Sequence, residues 1–159
     1  PDDKVRRVAW EHPAIRDSWP LPNVLLGVSC EDQKTADERI PLLLQTPASV
    51  RFVSYEPALS AVDFGLGLKA DHGGRLPSPD WIISGGESGP GARPCDIAWI
   101  RSAVRQCRNA GVSVFVKQLG AVPLDGRQVL LRDRKGGDME GWPDDLRIRE
   151  FPKPPPGAR

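Results

Sequence analysis

Glu31, Asp32, Glu56, Glu87 and Lys117 are the side chains whose types and positions could do chemistry, because each stands just past a short apolar run. Glu31 and Asp32 follow residues 24–29, Glu56 follows 50–54, Glu87 follows 81–84 across Gly85 and Gly86, and Lys117 closes 112–116. Carboxylates grouped in this way could bind a hard cation such as Mg²⁺ or hold a substrate amine. A lysine at the end of an apolar strand could be an amine of lowered pKa or an anchor for an anion, with Gln118 orienting it. Glu56, Glu87 and Lys117 are therefore the candidate catalytic groups. Glu31, Asp32, Gly85, Gly86, Ser88, Gly89, Arg93 and Gln118 are the candidate ligand contacts, and no metal site is assigned. Plainer roles compete with these: Asp32 as a helix cap, Glu87 as the cap of the segment after its turn, and Lys117 as the ion-pair partner of a glutamate.

The glycine segment 85–91 is the best single motif. Glycines allow backbone N–H groups to approach a ligand closely, and a strand–loop–helix context points a helix's positive end at an anion. With Arg93 nearby, a phosphate or carboxylate would fit. The basic residues Arg127, Arg132, Arg134 and Lys135 are interleaved with Asp125, Asp133 and Asp138, which reads as a solvated surface before it reads as a nucleic-acid contact.

The elements that must position these groups follow from periodicity. Short apolar runs at 24–29, 50–54, 81–84 and 112–116 read as buried parallel strands, whose carboxyl ends open on one side and gather residues distant in sequence around one ligand. Ala36, Ile40, Leu43 and Leu44 recur at helical spacing over 33–44, with Pro41 expected to kink that helix or divide it in two. Ile97, Ile100, Val104 and Cys107 make a second apolar stripe with Arg101, Arg105 and Arg108 opposite, Asp96 as N-cap and Gly111 as stop. Trp19 to Pro22 forbids helix, residues 71–79 read as a surface loop, and a hairpin is expected around Asp125 and Gly126 with strands near 121–124 and 128–132.

The fold class expected is α/β: a parallel sheet of about four βα units, resembling half of a TIM-like barrel. A complete barrel needs roughly 200 residues or more, and this chain has 159. A half-barrel cannot stay open, since its terminal strands would present unpaired backbone. Either further strands come from sequence outside the chain or from another subunit, or the sheet is a smaller open one covered on both faces. The parts expected are a lead-in over 1–22, an α/β core over 23–120, an extension over 121–151 and a Pro-rich mobile tail over 152–159.

Composition narrows the classes. The net charge of +1 gives no global pull toward nucleic acid or membrane, and no apolar run reaches the roughly 18–20 residues of a membrane span. Cys30, Cys95 and Cys107 are an odd number at unrelated spacings, against a disulfide framework or a metal-binding pair, and a reducing, cytoplasmic setting fits best. Cys107 lies on the helix stripe as a small hydrophobe, whereas Cys30 at a strand end could be reactive. With Met139 the only methionine and Pro1 first, the chain reads as processed, trimmed or partial.

Seven strings carry a resemblance: Pro22-Asn23-Val24-Leu25-Leu26-Gly27-Val28-Ser29, Glu31-Asp32-Gln33, Ala36-Asp37-Glu38-Arg39-Ile40-Pro41-Leu42-Leu43, Arg51-Phe52-Val53-Ser54-Tyr55-Glu56-Pro57, Gly85-Gly86-Glu87-Ser88-Gly89-Pro90-Gly91-Ala92-Arg93-Pro94, Phe115-Val116-Lys117-Gln118 and Arg134-Lys135-Gly136-Gly137-Asp138. Over roughly 20–152 the chain resembles the C-terminal half of a family of phage and prophage proteins of unassigned function, which looks like a distant relative of the radical-SAM barrels. The resemblance implies that a three-cysteine cluster for a [4Fe-4S] centre, and S-adenosylmethionine with it, belong to an N-terminal half that this chain lacks. This chain alone is then expected to carry no cofactor. Radical-SAM barrels hold the methionine amino group with a similar Gly-Gly-Glu turn, placed soon after the cysteine cluster.

Two function classes follow. The first is the substrate-side part of a radical-SAM-like enzyme, inactive alone, its partner the missing N-terminal half or a complementary subunit and its substrate a nucleotide or modified base. The second is a non-catalytic α/β module in which the glycine loop and the basic stretch hold a nucleotide or nucleic acid.

Overall fold

The structure, a computed structural model, describes residues 19–67 and 77–153. The expected lead-in up to residue 18, the loop residues 68–76 and the tail residues 154–159 lie outside the described residues. The elements in chain order are β1 (Leu25–Ser29), α1 (Gln33–Gln45), β2 (Val50–Tyr55), β3 (Trp81–Gly85), β4 (Cys95–Asp96), α2 (Ile97–Ala110), β5 (Ser113–Gln118), β6 (Pro123–Asp125) and β7 (Arg127–Gln128), followed by two short 3₁₀ turns.

Asp32 starts α1 by a reciprocal cap. Its carboxylate accepts from the Thr35 N–H at 2.8 Å, and the Thr35 hydroxyl accepts from the Asp32 N–H at 3.2 Å. The helix runs through Pro41 as one element, contrary to the expected division into two. Pro41 and Asp37 both lie on the exposed face, so the carbonyl that loses its partner is left to water. Helix α2 starts under the Asp96 carboxylate, which accepts from the Ala98 N–H at 2.9 Å, and stops at Gly111 in the left-handed region at φ 68°.

Strands β1, β2, β3 and β5 form one all-parallel sheet in that order. Both helices pack on the same face of it. Ile40 and Leu43 of α1 and Ile100, Val104 and Cys107 of α2 share one buried cluster with Val53, Tyr55, Ile82, Val114 and Val116, which alternate along the strands. The chain is thus a mixed α/β fold with a four-stranded parallel sheet flanked by helices.

The opposite face carries the alternate residues in register. One row runs Gly27, Phe52, Trp81 and Ser113, and the next runs Ser29, Ser54, Ile83 and Phe115. Phe151 joins the aromatic residues, its ring 5.5 Å from Trp81 and 5.4 Å from Phe115, and the Arg149 guanidinium sits 5.3 Å from the Phe115 ring.

The two edges of the sheet differ. Beyond β5 the chain returns antiparallel: the Val116 N–H donates to the Ile148 carbonyl at 2.8 Å and the Glu150 N–H to the Val114 carbonyl at 2.9 Å. Along β1, among the described residues, the outer backbone meets only the Arg39 side chain, which donates to the Ser29 carbonyl at 2.7 Å.

A second, small sheet joins β4 to β6 in parallel and β6 to β7 antiparallel. Its hairpin turns at Gly126, φ 71°, as expected, but both strands are shorter than expected. Arg127 and Gln128 are exposed, so the returning strand has no apolar face to bury and pairing stops after two residues. Two-residue β4 is too short to leave a periodic signal.

Candidate functional site

Glu56 is fixed from three sides at the carboxyl end of β2. The Ser54 hydroxyl, two residues back on the face opposite α1 and α2, donates to Glu56 Oε2 at 3.1 Å. The peptide bond to Pro57 is cis, and the Ala58 N–H just beyond it donates to the Gly85 carbonyl at 2.8 Å. Gly85 ends β3 beneath the carboxylate: a side chain there would start 3.0 Å from Glu56 Oε1 and 3.1 Å from the Gln118 carbonyl. The absence of a Cβ therefore lets Glu56 lean across the end of β3.

On the far side of that end stands Lys117. Its ammonium lies 3.4 Å from Glu56 Oε1 and 3.5 Å from Oε2, a loose approach to both oxygens. Glu56 is 17% exposed and Lys117 57%. A pair with these distances and one mobile, solvated partner contributes little to stability. It leaves a carboxylate and an ammonium facing the same open side, able to hold a ligand's amine and anionic group or to pass a proton between them.

Glu87 is differently employed. Arg93 closes on it with its backbone N–H at 2.9 Å, Nε at 2.7 Å and Nη2 at 3.0 Å, a bidentate clasp that shuts the turn 88–92. These hydrogen bonds hold the Glu87 carboxyl down at about 2, well below the usual carboxylate range. Gly89 and Gly91 form the tip of that turn with φ 103° and 74° and open space around them. The turn does not open a helix: β4 intervenes, and the α2 N-terminus is already taken by Asp96.

The remaining candidates divide between rim and frame. Glu31 pairs with Arg39 at 3.4 Å, and Arg93 lies close enough to feel the Glu31 charge, so the Glu31–Arg39 and Glu87–Arg93 pairs are neighbours. Asp32 is the α1 cap described above, its carboxyl lowered by the hydrogen bonds from Thr35. Gln118 donates to the Gly86 carbonyl at 2.9 Å, where the β3–β5 register shifts. Gly86 packs against the Leu119 carbonyl with no room for a side chain. Ser88 and Gly89 lie in a cleft discussed below.

Cys30 is not the reactive thiol that its strand-end position suggested. It is fully buried beside α1, and burial pushes its thiol up to about 12, as it does for Cys95 and Cys107. Among the described residues no three His, Cys, Asp or Glu side chains are grouped to hold a metal ion, and no helix is long and apolar enough to cross a membrane.

Residue-by-residue reading missed Ser54, Arg39 and the aromatic row. Ser54 was within reach, since a residue two positions before Glu56 on a strand shares its face. Arg39 reaches Glu31 only because α1 folds back beside β1, a contact without local signal.

A parallel sheet with strand-end charges on its open side defines a broad class of α/β proteins that keep their sites at the carboxyl ends of strands. Within it the chain belongs to a particular family: residues 3–145 match the one described as Protein of unknown function (DUF5131). No curated protein and no solved structure matches the chain.

Proposed function

We propose that this chain is the substrate-side part of a radical-SAM-like protein, with Glu56 and Lys117 as the pair that meets the substrate. One observation carries the reading. The parallel strands lie in sequential order with both helices on one face, and the Glu56–Lys117 pair stands at the carboxyl end of the other. An arc of a βα barrel would have this arrangement, with the side opposite its helices facing the axis, and this supports the reading.

The cysteines do not fit an iron–sulfur centre. Such a centre needs several thiolates aimed at one point, whereas Cys30, Cys95 and Cys107 are buried thiols raised to about 12. The chain's own contribution is to bind and orient: Lys117 toward an anionic group, Glu56 toward an amine or hydroxyl, and Gly85 leaving space above the end of β3.

The test is to prepare the protein from its complete reading frame without oxygen, with the 159-residue chain as control. Bound iron and sulfide with reductive cleavage of S-adenosylmethionine in the longer form alone supports the reading. Absence of iron from both overturns it.

A further inference from the structure

We propose a second ligand site, for a nucleoside monophosphate, in the cleft between the glycine turn and the segment that follows the small hairpin. The cleft is about 600 Å³, within the range of small-ligand pockets. It is lined by Ser88, Gly89 and Pro90 from the turn and by Val129, Leu130 and Leu131 from the segment after the hairpin, with Arg134 and Lys135 in the same lining. It lies apart from the Glu56–Lys117 pair, neither of which lines it, and the proposal holds whatever reaction that pair serves.

The cations carry the argument. Arg134 and Lys135 are both exposed, and neither forms an ion pair among the described residues. Other surface cations, Arg105 and Arg108 among them, also lack a carboxylate partner among the described residues; what sets Arg134 and Lys135 apart from these is that both line one cleft. Asp133, also at the cleft, feels the Lys135 charge but forms no ion pair with either cation. Its oxygens are turned into its own loop, accepting from the Lys135 N–H at 3.1 Å and the Gly137 N–H at 2.6 Å. Those bonds hold its carboxyl below the ordinary range. Two cations adjacent in sequence and without an ion pair, with Ser88 lining the same cleft, suit the several oxygens of one phosphate.

The loop that presents them is pinned. The Leu119 N–H donates to the Gly136 carbonyl at 2.8 Å, and Gly136 and Gly120, at φ 67° and 87°, press backbone to backbone. The Ala121 N–H in turn donates to the Glu87 carbonyl at 2.8 Å, so the turn and the loop hang on the same strand ends. A site set on such a frame loses little entropy on binding.

The rest of the ligand is read from the apolar lining. Leu130 is 88% exposed, beside Val129, Leu131, Pro90 and Pro123. An exposed leucine beside two free cations matches a ligand with a flat uncharged body and one anionic end. A nucleic-acid strand is the weaker fit, because Arg132 lines a separate cleft with Asp138 and Glu140, and Arg127, in the cleft that adjoins at Gln128, Val129 and Leu130, stands with Asp125.

The experiment is calorimetric titration of the chain with AMP, adenosine and inorganic phosphate. It is repeated on Arg134→Ala/Lys135→Ala, on Leu130→Asp, and on Arg105→Ala as a surface-charge control, with melting temperatures confirming that each variant folds. AMP should bind at least about tenfold tighter than either of its parts. The double substitution should weaken AMP at least about tenfold, more at low salt, and Arg105→Ala should leave it unchanged. Leu130→Asp should weaken AMP more than phosphate. Binding of phosphate as tight as AMP, an unaltered double variant, or a dT12 strand bound tighter than AMP with a steep salt dependence would each overturn the mononucleotide site.

Discussion

The two faces of the parallel sheet are built from alternate residues of the same strands, yet they are different materials. The helix side is aliphatic and closed: Val53, Ile82, Val114, Val116 and Ile100 have no exposure. The other side is aromatic and graded, from Phe52, Trp81 and Phe115 to the charged pair Glu56 and Lys117 at the carboxyl end. One strand thus builds the closed core with alternate positions and the graded face with the others, because side chains alternate with period two. Substitution can therefore damage one face without touching the other.

The sharpest contrast is in thiol chemistry. All three cysteines belong to the helix-side core, with pKa values near 12 against 9.0 for a free thiol. At pH 8 the folded protein should react with an aromatic disulfide reagent about a thousandfold more slowly than in urea. A fast-reacting thiol in the native state would break the account of a closed face.

Next in size are core truncations. Ile82→Ala or Ile100→Ala should cost about 2–5 kcal/mol by urea denaturation, whereas Phe115→Ala, on the half-exposed face, should cost roughly 1–2 kcal/mol. Equal costs would mean that the aromatic face is as fully covered as the helical one.

A smaller, pH-dependent effect belongs to Glu87. Its carboxyl titrates near 2 in the fold against 4.5 for a free side chain, so the unfolded chain binds the proton first. The stabilisation is present above pH 4.5 and is lost as pH falls from there toward 2. The group is solvated, so the effect should be modest and shrink with salt. Melting curves of wild type and Glu87→Gln should diverge at pH 6 and converge at pH 2, and a constant gap would refute the Arg93 clasp.

Lys117→Met should be the smallest, shifting stability by no more than about 0.5 kcal/mol. A larger loss would turn the pair from a site into a strut.

Much of this frame is legible in the sequence, for physical reasons. The runs around Val53, Ile82 and Val114 are strands because both faces of a central parallel strand need apolar residues. Asp32, Asp96 and Gly111 mark helix ends because orphan backbone groups must be satisfied locally. Pro41 misleads, since its cost depends on which way Asp37 faces, and that is settled only by packing. The site is legible in part. Glu56 and Lys117 meet because register places Gly85 between them, but that Glu87 would be clasped by Arg93 depends on the turn at Gly89 and Gly91, which spacing alone does not determine. Arg149 over Phe115 is a contact across thirty-odd residues without local trace.

The return of residues Ile148 to Glu150 along β5 also governs how copies of this protein could meet. Sheets with two bare margins can recruit neighbour after neighbour into a fibre. Here Ile148 to Glu150 occupy the β5 margin, and among the described residues the β1 margin meets only the Arg39 side chain, so a strand added to this sheet would find its hydrogen-bonding groups at β1.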